Sequence, residues 1–220
     1  MYDRRINSVN LSAWKDRLDA GEYDAPLAAL YGAADAPRSR YARLCEEYLR
    51  TFGDAPDALL ISAPGRTELA GNHTDHQLGI VLCAAVTLDA AAAAASAADN
   101  AVEIVSDGFG RVRVSLDDLA PRKSEAGTTA ALIRGVAAGF AAEGLRIGGW
   151  RACIHSLVPA GGGLSSSAAF EVLIGRILNG LFANNAVSAI EIAQIGQYAE
   201  NVYYGKPSGL MDQMASSVGG

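Results

Sequence analysis

The sequence predicts an α+β fold, because helix-forming and strand-forming segments occur in separate groups along the chain. Three helical patterns come first, strand patterns dominate the middle, and most of the second half is helical again. The chain has 220 residues, half of them hydrophobic and 19% charged, so it is long enough and apolar enough to bury a core. Intrinsic disorder is therefore excluded.

The charge balance argues against two classes of partner. Lys and Arg number 18 against 24 Asp and Glu, which gives a formal net charge of −6 and would repel nucleic acid and anionic membrane surfaces. Cys45, Cys83 and Cys153 are far apart, so neither a disulfide framework nor a zinc ribbon fits. The polar N-terminus contains no secretory signal, and no segment is apolar enough to span a membrane. We therefore expect a cytoplasmic protein with no nucleic-acid or membrane partner.

The first 55 residues are predicted to form a helical extension. Helical patterns cover residues 12–20, 26–31 and 38–52, and a glycine follows each of them as a stop signal. In the third pattern, apolar residues recur at spacings of three and four from Tyr41 to Leu49, which predicts one buried stripe. The composition changes near Pro56, where we expect a second unit, residues 56–220, to begin.

The middle of the chain predicts strands. A short apolar run at residues 59–62 is expected to enter a long polar loop at residues 63–79. Residues 80–98 are so rich in alanine that propensity alone favours a helix. We interpret them as a strand, because Ile80-Val81-Leu82 opens the segment and residues 101–105 follow the Asp99-Asn100 turn as in a hairpin. Residues 111–116 alternate as a further strand.

The second half predicts a helix at residues 128–143, a strand at 150–157 and a helix at 164–181 with one apolar face. Ser188 and Glu191 form a capping box that opens a last helix to about residue 204. Residues 205–213 are expected to form a turn. Because no closing element follows this turn, we expect the chain to be truncated.

Residues 158–168, with the sequence VPAGGGLSSSA, lead from a predicted strand into the first turn of a helix. Unpaired N–H groups and the positive dipole end collect an anion there, so a phosphate site is expected, with serine hydroxyls available to phosphate or Mg²⁺. The alternative is an ordinary capped helix after a flexible turn. A Walker A loop is excluded because no lysine occurs between Lys123 and Lys206, and a Rossmann fingerprint because Ser166 stands where its third glycine belongs. A nucleophile elbow would need a histidine after His155.

Two further segments place polar groups in loops. Residues 63–76 combine one arginine with His73, Asp75 and His76, a set typical of hydroxyl recognition. A metal site is the other reading of this set, but the segment has no helical i, i+4 pair and no cysteine. Residues 205–213 present Asp212 from a Gly/Ser-rich bend, where a lone aspartate is usually a cap.

Taken together, the three segments resemble the galactokinase branch of the GHMP small-molecule kinases over about residues 59–220. Residues 63–76 are similar to the galactokinase signature, residues 159–168 to the ATP-phosphate loop, and residues 205–213 to the catalytic-aspartate segment. The resemblance implies a GHMP kinase N-terminal domain, in which a mixed sheet packs against helices, with the C-terminal domain and third motif absent from this chain. It also implies that ATP and sugar bind in a cleft between the two domains.

The resemblance implies a role for each matching residue. Arg66 would stabilise the transferring phosphoryl group, and Asp212 would accept the proton of a sugar hydroxyl or orient that hydroxyl. The two should lie close together, which would keep Asp212 ionised. Sugar contacts are implied for Glu68, Asn72, His73, Asp75 and Gly209, ATP contacts for Gly161, Gly162, Gly163, Leu164, Ser165, Ser166 and Ser167, and Mg²⁺ contacts for Ser167 and Glu200.

The chain departs from the family pattern in its signature. Glu68 stands where the family usually has Asn, Asn72 where it has Glu, and His76 where it has Tyr. Glu68 and Asn72 look like a reciprocal exchange, which predicts that their side chains are neighbours. The resemblance implies ATP- and Mg²⁺-dependent phosphorylation of a small-molecule sugar at its anomeric hydroxyl, with galactose as the leading substrate. Alternatives are a kinase for another hexose or sugar derivative and a non-catalytic sensor of galactose and ATP. The sequence leaves the oligomeric state open.

Overall fold

The computed structural model describes residues 9–107 and 110–219, in which a five-stranded sheet lies between two layers of helices. The strands are β1 Leu59–Ala70, β2 Leu82–Ser96, β3 Ala101–Ser106, β4 Gly110–Ser115 and β5 Trp150–Ser156. The helices are α1 Leu11–Asp19, α2 Asp24–Tyr31, α3 Asp35–Phe52, α4 Thr129–Ala142, α5 Ser166–Phe182, α6 Ala189–Tyr198 and α7 Met211–Val218. A π-helical turn, Ala199–Tyr204, continues α6.

The sheet is mixed, with the strand order β1-β2-β5-β3-β4. β2 pairs antiparallel with both β1 and β5, β5 runs parallel to β3, and β3 pairs antiparallel with β4. The predicted strands are therefore present, and the α+β architecture is observed.

The alanine-rich segment is the second strand of this order and is buried on both faces. Ala90, Ala92 and Ala94 face a core with α4, α5 and α6, while Ala91, Ala93 and Ala95 face a second core with α1, α2 and α3. Small side chains let helices approach closely from both sides of the strand. Tertiary packing thus overrides the helix propensity of alanine, and the strand interpretation is confirmed.

The predicted hairpin between β2 and β3 is wrong, because β5 is inserted between these two strands. The insertion begins at Gly149, whose carbonyl accepts the N–H of Ala97 (2.8 Å). A Cβ at Gly149 would lie 1.7 Å from the carbonyl oxygen of Asp99, so only glycine allows the chain to enter there. The Asp99-Asn100 signal marks a turn correctly, but a turn does not determine which strand becomes the neighbour.

Two predicted loops are regular structure instead. β1 extends to Ala70, so Arg66 and Glu68 lie on a strand and not in a polar loop. The polar residues there continue the pairing with β2 beyond register shifts at Pro64/Arg66 and Glu68/Ala70. Asp212 lies in the first turn of α7 and not in a bend, because Met211–Val218 continues as a helix. The predicted capping box of Ser188 and Glu191 is present at the start of α6.

The N-terminal helices are fastened to the sheet by a buried ion pair. Arg40 on α3 contacts Asp89 on β2 through Nη1 and Oδ1 at 2.5 Å, and the hydroxyl of Tyr31 donates to the other oxygen of Asp89 at 2.5 Å. A division of the chain at residue 56 stays a prediction. Among the described residues, no helix has the length and apolar content that crossing a bilayer requires.

Candidate active site

The structure brings Arg66 and Asp212 into direct contact. Nε of Arg66 donates to Oδ1 of Asp212 at 2.6 Å, and Nη2 donates to Oδ2 at 2.8 Å. Both side chains are largely buried. The two residues are far apart in sequence, so this two-point contact joins β1 to the start of α7 and fixes the orientation of both groups.

The carboxyl of Asp212 is held in its ionised form. Burial raises its pKa, but the hydrogen bonds from Arg66 and from the hydroxyl of Ser165 outweigh this and bring the pKa below its usual value of 3.8. Ser165 adopts a left-handed conformation with φ +54°, which is uncommon for a residue other than glycine. Asp212 therefore stays charged near neutral pH.

The predicted phosphate loop connects β5 to the N-terminus of α5. Gly161, Gly163, Ser165, Ser166 and Ser167 line an open cleft of about 470 Å³. The other two predicted loop residues shape the turn: the N–H of Gly162 donates to the carbonyl of Pro159 at 3.2 Å, and the carbonyl of Leu164 accepts the N–H of Arg66 at 3.1 Å.

Arg66 ties this loop to the opposite wall of the cleft. Its Nη1 donates to the carbonyl of Gly163 at 2.7 Å. The other wall contains His73, His76 and the segment from Lys206 to Gly209, together with Asp75 and Asp212. The cleft thus places a helix N-terminus, a buried guanidinium and a carboxylate around one open space.

Asp75 acts as a cap for the helix that carries Asp212. Its Oδ2 accepts the N–H of Met211, the first residue of α7, at 3.0 Å. Gly209 packs against the same carboxylate so closely that a Cβ there would lie 1.9 Å from Oδ2. Asp75 and Gly209, both predicted sugar contacts, line the cleft and also determine where α7 begins.

Glu68 is hydrogen-bonded to His73 and not to Asn72, its expected neighbour. Glu68 bonds to His73 at two points: its Oε1 accepts the backbone N–H at 2.8 Å, and its Oε2 lies 3.0 Å from Nε2 of the ring. No hydrogen bond joins Glu68 to Asn72 in the part of the chain that the structure describes. Asn72 is exposed and has a left-handed backbone, with φ +55°.

Glu200 belongs to a buried carboxylate network behind the cleft. Its Oε1 accepts the hydroxyl of Ser167 at 3.1 Å, and its Oε2 accepts Nε2 of Gln213 at 2.9 Å. The same Nε2 also donates to Oε2 of Glu171 at 2.9 Å. Burial and then the charge of Glu200 raise the pKa of Glu171 well above its usual 4.5.

Ser167 and Glu200 fit as the protein ligands of a magnesium ion whose other ligands are phosphate and water oxygens. Mg²⁺ prefers oxygen ligands and typically takes only one or two from the protein, with water and phosphate oxygens as the rest. Ser167 lines the cleft, and its hydroxyl already contacts the carboxylate of Glu200. In residues 9–107 and 110–219 there is no group of three or more His, Cys, Asp or Glu side chains arranged to hold a metal by itself.

A second, apolar cavity of about 430 Å³ adjoins the phosphate loop. Ile104, Val112, Leu132, Phe170 and Tyr204 line it, and it reaches the cleft at Ser166 and Ser167. An apolar cavity next to an anion site is suited to a ligand with a flat apolar part and a charged part.

Sequence reasoning missed Lys206, Glu171 and Gln213. Lys206 lines the cleft, but a single lysine in a Gly/Pro turn carries no pattern. Glu171 did carry a signal, because it interrupts the apolar sequence of α5 and carboxylates are rarely fully buried without a partner. Gln213 could not be found, since the helical state of residues 211–218 was not predicted.

Two family models match this chain. Residues 130–220 match the model described as GHMP kinases N terminal domain, and residues 46–96 match the galactokinase galactose-binding signature. The second match covers the end of α3, all of β1 and β2 and the turn between them, and the first runs from the start of α4 through β5 to α7.

Known proteins with similar sequences are galactokinases. The chain is 38% identical over 176 residues to a galactokinase of Clostridium perfringens (strain 13), which covers 78% of this chain and 44% of that protein. It is 34% identical over 180 residues to one from Lactococcus lactis subsp. cremoris, which covers 80% of this chain and 44% of that protein. The chain thus spans less than half the length of these relatives.

Solved structures agree with the fold. The crystal structure of Lactococcus lactis galactokinase complexed with galactose aligns with a TM-score of 0.71 at 32% identity, over 77% of this chain and 44% of that one. The Methanococcus jannaschii mevalonate kinase shares the fold, with a TM-score of 0.62 at 18% identity over 74% of this chain and 51% of that one. The predicted α+β fold of a GHMP kinase N-terminal domain is therefore confirmed.

Proposed function

The chain belongs to the galactokinase branch of the GHMP kinases, and on this premise we propose that it works in an ATP-dependent sugar kinase. The reaction we propose is phosphorylation of the anomeric hydroxyl of galactose, which gives galactose 1-phosphate. The observation that carries the proposal is the two-point contact of Arg66 with Asp212 beside the phosphate loop. Full activity is expected to require the further length that the relatives have.

Arg66 is suited to stabilising charge on a transferring phosphoryl group. A guanidinium has five N–H donors, and three of the Arg66 donors are engaged by Asp212 and the carbonyl of Gly163. The remaining donors are available to phosphate oxygens without breaking the pair. Since the guanidinium is already held in place by β1 and α7, no reorganisation is needed when charge develops.

Asp212 is better suited to orienting the sugar hydroxyl than to removing its proton early. Its pKa lies below 3.8, so it is a weak base for an alcohol. Its carboxylate accepts a hydrogen bond from the hydroxyl and aims the oxygen at the phosphorus. As the new O–P bond forms and the bond to the leaving nucleotide breaks, the hydroxyl becomes acidic and its proton passes to Asp212 or to solvent.

The phosphate loop and its neighbours supply the nucleotide site. The N–H groups at the start of α5, with the hydroxyls of Ser165, Ser166 and Ser167, would hold the phosphates. The apolar cavity beside Phe170 and Tyr204 would take the base, and Ser167 with Glu200 would hold Mg²⁺. When bound, ATP with Mg²⁺ supplies the phosphoryl group and part of the neutralising charge.

Sugar recognition is proposed for the His73 side of the cleft. Asp75 and Gly209 line this side of the cleft. Glu68 does not line the cleft, but it holds His73, which does. Because Glu68 and Asn72 depart from the family pattern, a kinase for another hexose or sugar derivative is the second candidate.

A sugar panel tests the proposal. The complete protein is assayed for sugar-dependent ADP release with galactose, glucose, mannose, N-acetylgalactosamine and galactose blocked at its anomeric oxygen. We expect turnover with galactose and none with the blocked sugar. Turnover with a different hexose only would support the second candidate. Binding of galactose and ATP by isothermal titration without ADP release would identify a sensor and contradict the proposed catalysis.

A further inference from the structure

Lys206 is a charged residue of the cleft to which the proposed reaction gives no role. It follows the π-helical turn, and its side chain is 57% exposed in the open cleft. Its Nζ lies 3.0 Å from Oε1 of Glu200, and its backbone N–H donates to the carbonyl of the same residue at 3.2 Å. Glu200 itself is only 1% exposed. A cation that is more than half exposed therefore covers a buried carboxylate from the cleft side.

The position of Lys206 relative to the phosphate loop follows from one shared acceptor. The hydroxyl of Ser167 donates to the same Oε1 atom at 3.1 Å. The ammonium group and the first turn of α5 are therefore neighbours across a single carboxylate oxygen. A phosphate at the N-terminus of α5 would lie within reach of a lysine side chain, which rotates about four bonds.

Of the basic side chains that contact carboxylates at the cleft, Lys206 has the largest share of its N–H donors left for a further partner. Arg66 is engaged by Asp212, and His73 by Glu68. Lys206 has three N–H donors on its ammonium, and Glu200 is the side chain it contacts in the described chain. The carboxylate of Glu200, in contrast, would supply an oxygen ligand to a magnesium ion.

We propose that Lys206 is a phosphate-binding residue that exchanges partners: its ammonium covers Glu200 in the empty site and moves to a phosphate oxygen when nucleotide and Mg²⁺ bind. The exchange keeps charge balanced, because the buried carboxylate has a cation in both states. It rests on the proposed function, since it requires a nucleoside triphosphate in the cleft. A lysine that only neutralises Glu200 would not contribute to phosphate binding.

Nucleotide titrations separate these two roles. Dissociation constants of the complete protein for a non-hydrolysable ATP analogue and for adenosine are measured with Mg²⁺, for wild type, Lys206→Met and Lys206→Arg. We expect Lys206→Met to weaken binding of the analogue by about tenfold or more, the effect of one charge-assisted hydrogen bond, and to leave adenosine unaffected. Lys206→Arg should restore part of the loss. Lys15→Met is the matched control, since Lys15 pairs with Asp19 at 2.6 Å on α1.

Magnesium alone provides a readout without nucleotide. In Lys206→Met, Glu200 has lost its cation, so Mg²⁺ should raise the melting temperature more than it does in wild type or Lys15→Met. The proposed exchange of partners would be overturned if wild type and Lys206→Met bound the analogue with equal affinity. It would also be overturned if Mg²⁺ raised their melting temperatures equally. If wild type itself does not bind the analogue, the proposed kinase function fails as well, so the two failures are distinguishable.

Discussion

At the scale of single residues, residues 9–107 and 110–219 contain two buried arginine–aspartate pairs with different surroundings. Arg66 and Asp212 lie at the cleft, whereas Arg40 and Asp89 fasten the N-terminal helices to the sheet. Their contacts are of similar length, 2.6 and 2.5 Å. The second pair therefore serves as an internal control for the structural part of any effect at the first.

Asp212→Asn and Asp89→Asn are both expected to lower the unfolding free energy, but only Asp212→Asn is expected to lower activity. Each leaves a buried guanidinium without its anion, which costs up to about 3–5 kcal/mol of unfolding free energy for a fully buried pair. Only Asp212→Asn should lower kcat, by about a hundredfold or more, because its charge acts on the transferring group. Denaturant unfolding and ADP release at a temperature where both variants are folded test this. Near-wild-type turnover of Asp212→Asn would contradict the role of Asp212.

The low pKa of Asp212 sets where its stabilising effect disappears. Since the folded pKa lies below the usual 3.8, the carboxylate stabilises the fold at all higher pH values. That contribution is lost only as the pH falls through and below this range. Asp212 is thus expected not to produce an acid limb in the pH dependence of kcat between pH 5 and 8.

Glu68 is expected to couple to His73 and to act independently of Asn72. Single and double variants Glu68→Ala, His73→Ala and Asn72→Ala are compared by unfolding free energy and by sugar affinity. The Glu68–His73 cycle should give a coupling of about 0.5–1 kcal/mol, because the contact between the two side chains is partly exposed. The Glu68–Asn72 cycle should be additive. Coupling in the second cycle but not in the first would restore the idea of a reciprocal exchange.

At the scale of elements, one glutamine side chain joins three helical segments behind the cleft. Gln213 on α7 donates to Glu171 on α5 and to Glu200 in the π-helical turn. Oε1 of Glu171 and Oε1 of Gln213 are buried without a hydrogen-bond partner in the described chain. The raised pKa of Glu171 favours its uncharged form, which reduces the repulsion between two buried carboxyl groups that share one donor.

Glu171→Gln is expected to change how stability depends on pH. A carboxyl whose folded pKa is raised stabilises the fold below its unfolded value, near 4.5, and loses this contribution as the pH rises towards the folded value. The variant does not titrate, so its stability relative to wild type should increase from pH 5 to pH 8. Denaturant unfolding across this range measures the trend, with Glu143→Gln, an exposed glutamate at the end of α4, as control. A constant difference would contradict it.

The elements show which parts of the structure a single sequence can predict. Helix ends with local signals were found, because Ser188 and Glu191 bond to each other's backbone and need no distant partner. The order of the strands was not predicted correctly, because the insertion of β5 depends on contact between Gly149 and Asp99, which are far apart in the chain. The meeting of Arg66 with Asp212 was expected from the resemblance alone. Their strand and helix settings depend on the pairing of β1 with β2 and on the cap from Asp75.

At the scale of the whole molecule, the chain presents an apolar surface at the turn between β1 and β2. Leu78 and Ile80 are 98% and 96% exposed, and Leu69 and Leu82 are also exposed nearby. Contiguous apolar patches on a surface usually mark a contact with another part of a protein. The galactokinase relatives are more than twice as long as the segment that this chain matches.

The 220-residue chain by itself is expected to lack measurable kinase activity and to self-associate. A cleft as open as this one does not exclude water from the reacting groups, and the apolar surface favours contact between copies. Sedimentation velocity and the ADP-release assay test both expectations, and Leu78→Gln with Ile80→Gln should reduce association. Turnover by the isolated chain at the rate of the complete protein would contradict the expectation.

The alanine strand at the centre of the sheet has a consequence for the order of folding. Residues 90–95 prefer a helix while they have no neighbours, and β5, one of their two partners, is synthesised much later than they are. Contacts between such distant segments form slowly, so the edge of the segment that faces β5 stays unpaired until β5 emerges, even where β1 is already paired with the other edge. The phosphate loop follows β5 directly in the chain. The sheet and the anion site are therefore completed in the same late step, and a nascent chain gains its binding site only when its core closes.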